Sequence, residues 1–204
     1  YFRYTLNYNE KYYLIEQIKK FKEYDLNREE GLIKLNNLKK KFKFLDTPMS
    51  SEHQVLFSSF SLNQKYNFKK ILEIGTFDGS NSFLLSKLFP LAKITTIDLD
   101  NKNEAFKKTY NRNTEEKLKI FCDERDKILA LCKNVLFLHK NSIKLTLSEE
   151  KFDLIWIDGA HSYPVVTIDI LNSLRLCDNK GLIMCDDVYA TKVNDVDNVE
   201  DSHA

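Results

Sequence analysis

Glycine is scarce in this chain, five residues in 204. Four of the five, Gly75, Gly79, Gly159 and Gly181, border short apolar runs, where a chain leaving a strand needs backbone freedom. So few glycines, used this way, point to sites. The four cysteines, Cys122, Cys132, Cys177 and Cys185, make no CxxC pair and no cysteine–histidine zinc spacing. That argues against a zinc module or a disulfide scaffold; they read as reduced thiols and imply a cytoplasmic protein. No apolar run approaches the roughly 18 residues of a membrane span, so no membrane partner is expected. Neither sign of charge dominates: 31 Lys+Arg against 30 Asp+Glu leave +1, and nothing here draws in nucleic acid by its field. What remains, with 43% hydrophobic and 30% charged residues, is a soluble globular chain of one ordinary domain plus a helical appendage. It begins at Tyr1 rather than at methionine, so a fragment is expected, whose lost start could have carried a targeting segment.

Residues 1–65 lack strand signals and carry apolar residues at helical spacing: Leu14, Ile15, Ile18 and Phe21, then Leu32, Ile33, Leu35 and Leu38. They read as an N-terminal helical extension or lid, whose amphipathic helices suit a homodimer. The lysines in Leu38–Phe44 follow acidic residues and read as a solvated helix face. Ser50, Ser51 and Glu52 supply capping chemistry for a further helix through Val55, Leu56 and Phe60.

In residues 66–204 short apolar runs alternate with helical segments: Ile71–Ile74, Ile94–Ile97, Val135–Leu138, Phe152–Ile157 and Leu182–Cys185. Such alternation marks βαβ units and a parallel sheet covered on both faces. One helix opens at Ser80 and stops at Pro90; another opens near Ser162 with Pro164 in its first turn and carries Val165, Ile168, Leu171 and Leu174. The stretch 101–133 is polar at first, then helical through Ile120, Phe121, Ile128, Leu129 and Leu131. The fold class is therefore α/β, an open doubly wound and mostly parallel sheet. Ligands belong at the carboxyl ends of its strands, near the switch point in strand order.

After the first run, Glu73-Ile74-Gly75-Thr76-Phe77-Asp78-Gly79-Ser80 makes a glycine turn feeding a helix N-terminus. Its spacing is G-x-x-x-G, not the G-x-G-x-x-G that brings a backbone against a dinucleotide pyrophosphate. After the second run comes Asp98, at the distance where an acidic residue accepts from the hydroxyls of an unphosphorylated ribose. Each signal alone is as consistent with tight packing or a cap; in register with five strands they describe a nucleoside site.

These residues resemble the class I S-adenosylmethionine-dependent methyltransferases, a Rossmann-like fold. The matching segments are Ile71–Gly79, Thr96-Ile97-Asp98, Asn141-Ser142 and Phe152–Gly159. The run Asp158-Gly159-Ala160-His161-Ser162-Tyr163, with Val166, Asp169, Gly181-Leu182-Ile183 and Asp186-Asp187, is similar to methyltransferase family 24 and to catechol-type O-methyltransferases. The resemblance implies S-adenosylmethionine as cofactor. Its methionine end would be wrapped by Glu73, Gly75 and Phe77 with Thr76, Gly79 and Ser80 beside them, its ribose held by Asp98 with Leu99, and its adenine by Asn141 and Ser142. Asp158 would also face it. Asn141 departs from the acidic residue that many relatives carry there.

Asp158 closes the fourth strand and Asp186-Asp187 the fifth, so three carboxylates can converge. Such oxygens suit Mg²⁺, which lowers the pKa of a bound hydroxyl; in the metal-dependent relatives matching residues hold it. The bland alternative is a set of caps and solvated loop acids. His161 stands where catechol-type relatives have a lysine base, and its ordinary pKa of about 6.5 suits proton removal near neutrality. Asp158 and His161 are thus the expected catalytic pair. Trp156, inside an apolar strand, reads as core, and Tyr163 could contact adenine or substrate.

The expected function is metal-assisted O-methylation of a small-molecule acceptor, a sugar hydroxyl or a phenol. The alternatives are a catalytically silent nucleoside-binding scaffold, a metal-independent N-methyltransferase and, disfavoured by the glycine spacing, an NAD-dependent oxidoreductase. Class I enzymes usually add a sixth and an antiparallel seventh strand, so the C-terminal strands are expected to be missing.

Overall fold

The structure is a computed structural model, and it describes residues 10–46, 52–110, 112–160 and 163–186. The chain divides into two compact units, with the break between Asn67 and Phe68. The first holds α1 (Glu10–Glu23), α2 (Arg28–Lys41) and α3 (His53–Phe60). Asn27 caps α2 by accepting from the Glu29 and Glu30 amides at 3.1 and 3.3 Å. Lys39, Lys40 and Lys41 sit in its last turn, where cations complement the helix dipole. Gly31 lets α2 press on α3, because a Cβ there would lie 2.0 Å from the Ser59 hydroxyl. The capping expected of Glu52 does not occur: it stands at the cap position of α3 without a side-chain bond to the helix. Its carboxylate instead pairs with Arg28 through two 2.9 Å bonds, a fork geometry a flexible cap cannot match. Ser50 and Ser51 lie outside the described residues.

The second unit is a five-stranded sheet ordered β3-β2-β1-β4-β5, every pairing parallel. Its strands are β1 (Lys70–Ile74), β2 (Lys93–Asp98), β3 (Val135–His139), β4 (Phe152–Ile157) and β5 (Cys177–Cys185), and its helices α4 (Ser80–Leu88), α5 (Glu104–Lys108), α6 (Glu115–Ala130) and α7 (Val165–Leu176). Each strand contains one of the five apolar runs, as the doubly wound reading requires. Only the ladder shows that β5 begins early: Phe152 pairs with Cys177 and Leu154 with Leu182, so 178–181 bulge outward. Gly181 closes that bulge, since a Cβ would meet the Cys177 sulfur at 2.6 Å and the Phe152 carbonyl at 2.9 Å.

Leu72, Ile74, Ile97, Ile155, Ile157 and Leu176 fill one core cluster, and Trp156 is buried as expected. α4 buries Phe83, Leu84, Leu85 and Leu88. α7 forms where it was expected, but its covered side is mostly polar: Leu171 and Leu174 are 60% and 62% exposed, while Asp169, Asn172 and Ser173 are buried. The helix begins at Val165 with Pro164 as its cap. None of the four cysteines is in a disulfide. Among the described residues no helix is long and apolar enough to cross a membrane.

Candidate functional site

Strand order reverses between β1 and β4, which places the switch-point crevice at their carboxyl ends. The ladder lines the residues up there. Ile74 is in register with Ile97 on one side and Ile157 on the other, and Ile157 with Cys185. The next residue on each strand, Gly75, Asp98, Asp158 and Asp186, therefore falls in one row, with His139 opposite Asp98 on β3. Hydrogen bonds continue just past the strands: the Gly75 amide to the Ile97 carbonyl at 2.9 Å, Asp158 to Ile74 at 2.8 Å and Asp186 to Ile157 at 2.9 Å. Asp158 and Asp186 follow neighbouring strands, while Asp98 and Asp158 flank β1.

The glycine turn is shaped by backbone conformation. Gly75 has φ 101°, and a Cβ on it would lie 2.0 Å from the Asp158 carbonyl oxygen, so only glycine lets β1 and β4 exits pass so closely. Phe77 (φ 48°) and Gly79 (φ 79°) are also left-handed. The Ser80 amide bonds the Asp78 carboxylate at 2.9 Å, starting α4. Phe77 is 43% exposed, its ring 4.8 Å from Tyr110 and 5.4 Å from Phe121. Thr76 is buried, its hydroxyl 2.7 Å from that of Thr96; toward the crevice it presents backbone only.

Asp98 accepts from the Phe77 amide at 3.0 Å and the Leu99 amide at 2.7 Å, one on each oxygen. An ionised carboxylate has about four lone-pair sites, so each oxygen can accept again. Burial pushes its pKa up, against which the Leu99 and Phe77 amides and the charges of Arg112 and Arg125 act. Glu73 is fully buried and takes bonds from the Asn81 amide at 2.8 Å and from the Ser82 hydroxyl. Burial raises its pKa to about 7, opposed by hydrogen bonds from Ser82, Thr96 and Asn81. Glu73 thus ties β1 to the first turn of α4 from below the crevice.

Across the row, Asn141 caps the turn after β3, accepting from the Ile143 amide at 2.9 Å, and the Ser142 carbonyl accepts from Asn172 of α7 at 3.1 Å. At Gly159, after β4, a Cβ would make ordinary contacts only, 3.4 Å from Ile74 Cγ2 and 3.6 Å from an Asp169 carboxylate oxygen. His161 and Asp187, with Ser162, lie outside the described residues, so the base and the third metal carboxylate have no described geometry. Tyr163 is 71% exposed. Among the described residues no group of three His, Cys, Asp or Glu side chains is placed to hold a metal ion.

Sequence reading passed over Asn81, Ser82 and Asn172, and gave Asp169 no role. The signal was present in α7, where polar residues three apart fall on a face that packs against the sheet.

A family model described as a methyltransferase domain, that of methyltransferase family 24, matches residues 72–188. The chain belongs to this family. These are class I S-adenosylmethionine-dependent methyltransferases, and the five-stranded parallel sheet is theirs. A solved structure provisionally described as a caffeoyl-CoA O-methyltransferase from Staphylococcus aureus is 19% identical, with 87% of this chain and 72% of that one covered and a TM-score of 0.50. Others are the methyltransferase PaMTH1 from Podospora anserina, with SAH bound (20% identical, 91% and 74% covered, TM-score 0.48), and the O-methyltransferase TomG from Streptomyces achromogenes, in complex with SAM (19%, 84% and 71%, 0.49). The Staphylococcus likeness is one of fold. No curated protein matches the chain.

Proposed function

We propose that this methyltransferase transfers a methyl group to a hydroxyl of a small molecule, a sugar or a phenol, with the help of Mg²⁺. The observation that carries the reading is the row Asp98, Gly75, Asp158, Asp186 across the switch point. The Gly75–Ser80 turn is assigned the methionine end of S-adenosylmethionine, Asp98 with the Leu99 backbone the ribose hydroxyls, and Asn141 with Ser142 the adenine. Two features support the fit. Gly75 keeps the crevice clear of side chain where two strand exits touch, and Asp98 retains acceptor capacity after its two backbone bonds. The cofactor supplies an electrophilic sulfonium methyl group, and positioning is the main device left to the protein.

Asp158 and Asp186 are the carboxylates assigned to Mg²⁺, with Asp187 beside them in sequence. Their neighbouring strand-end positions and hard oxygens support this, since Mg²⁺ commonly takes one or two carboxylates and completes its octahedron with water and substrate. The ion would lower the pKa of the acceptor hydroxyl. His161, three residues after Asp158, is assigned to take the hydroxyl proton, on sequence spacing alone. The Staphylococcus neighbour, provisionally described as an O-methyltransferase, agrees with a hydroxyl acceptor.

Calorimetric titration with S-adenosylmethionine, with Mg²⁺ and with chelator, tests this. The expected result is cofactor binding in both, with the Mg²⁺ heat lost in Asp158→Ala. Absence of cofactor binding by a folded sample would make the silent scaffold the leading reading. Methyl transfer that survives chelation would favour a metal-independent enzyme.

A further inference from the structure

The buried residues of α2 are Gly31 and Leu35, and Gly31 faces α3. Beside them Glu30, Ile33, Lys34, Asn37, Leu38 and Lys41 form a stripe, at the three- and four-residue steps that align side chains along a helix. With Leu62, just past α3, they line a groove of about 500 Å³. Two of its apolar residues stand well out of cover, Ile33 at 61% exposure and Leu62 at 47%.

The charges of the stripe are not spent within the chain. Glu30 and Lys34 are four residues apart, the spacing at which such a pair meets on a helix. Glu30 nevertheless accepts from the Asn27 side-chain amide at 2.9 Å, and Lys34 donates to the Ser61 hydroxyl at 2.8 Å. Lys41 lies over the Phe42 ring, 5.3 Å from its centroid. Among the described residues none of the three is in an ion pair.

The order of these residues is complementary to itself. Turned end for end, the stripe sets Glu30 level with Lys41, Ile33 with Leu38 and Lys34 with Asn37. Opposite charges then meet at both ends, the apolar residues share their levels, and Lys34 comes level with an amide carbonyl that can accept from it. A parallel arrangement in register would set Glu30 on Glu30 and each lysine on its own copy, which like charges oppose.

We infer that this stripe is a contact between two copies of the chain, α2 against α2 and antiparallel, about a two-fold axis at the level of residues 35 and 36. Such a contact is isologous, so the pair of Glu30 with the partner's Lys41 is made twice. The stripe runs about 16 Å along the helix. That is a small contact, and the dimer is therefore reversible and weakened by salt. It goes beyond the proposed methyl transfer, since no residue of the stripe is assigned to cofactor or acceptor.

The test is sedimentation velocity of the whole chain from about 1 μM to about 1 mM protein, for wild type, Glu30→Lys, Lys41→Glu and the double reversal. Both side chains are exposed, so the variants are expected to fold. Wild type is expected to dimerise within this range. Each single reversal sets like charges together at two places and should weaken the dimer by about tenfold or more. The double reversal restores opposite charges at both places and should return the affinity to within about threefold of wild type. Single variants that associate as wild type does, or a double reversal no stronger than the singles, overturn the inference. A wild type that stays monomeric throughout leaves the groove to another occupant and overturns it as well.

Discussion

α4 and α7 each follow a strand at the switch point, one after β1 and the other after β4, yet α4 buries mostly apolar side chains, with Ser82 and Ser86, and α7 mostly polar ones, with Leu176. α4 turns Phe83, Leu84, Leu85 and Leu88 inward. α7 turns Asp169, Asn172 and Ser173 inward and leaves Leu171 and Leu174 in solvent. Burying polar groups while exposing leucines costs stability on both counts, so a helix that does this is held to another requirement. One such tie is visible at Ser142, whose carbonyl accepts from Asn172. α4 starts directly after the glycine turn, where Asn81 and Ser82 bond Glu73; α7 ties to the turn after β3 through Asn172.

The comparison breaks most directly on leucines. Leu84→Ala in α4 is expected to cost about 3 kcal/mol in urea denaturation, and Leu174→Ala in α7 less than about 0.5 kcal/mol; equal losses would mean that the two helices pack alike. A comparable effect is expected beneath α4 at Glu73. Its folded pKa of about 7 lies above the ordinary 4.5, so between these values the native state binds more protons than the unfolded chain. Stability should be fully present below about pH 4.5 and fall as pH rises through 7, by up to about 3 kcal/mol. Glu73→Gln should flatten that fall, which denaturation at pH 5 and pH 8 would reveal. Below the losses at Leu84 and Glu73 comes Asn172→Ala, which removes one bond to the Ser142 carbonyl. It should cost about 1 kcal/mol of stability and weaken S-adenosylmethionine binding severalfold; unchanged binding would detach α7 from the adenine side.

The five strands and α4 were legible because apolar runs and breakers coincide there: Gly79 before the helix, Pro90 after it. The α7 helix was legible but its buried side was not, because it carries apolar residues on more than one side, and periodicity alone cannot say which side the sheet takes. The strand-end row was legible in its members, Gly75, Asp98, Asp158 and Asp186. How Asp98 is held was not, since its bond from the Phe77 amide depends on a left-handed residue where sequence suggests no such backbone. The bulge in β5 was hidden for a related reason: pairing register is a property of two strands, and Gly181 shows its use only against the Phe152 carbonyl.

The row of strand ends also acts as a ruler. Parallel strands repeat about every 4.8 Å, so the step from Asp98 across Gly75 to Asp158 spans roughly 10 Å, fixed by backbone hydrogen bonds rather than by side-chain fit. A ligand measured against that scale meets the same graduations whatever the connecting turns contain. Loops beyond the row can lengthen, shrink or change character, and so admit a different acceptor, without disturbing the marks against which the cofactor would be set under the proposed function.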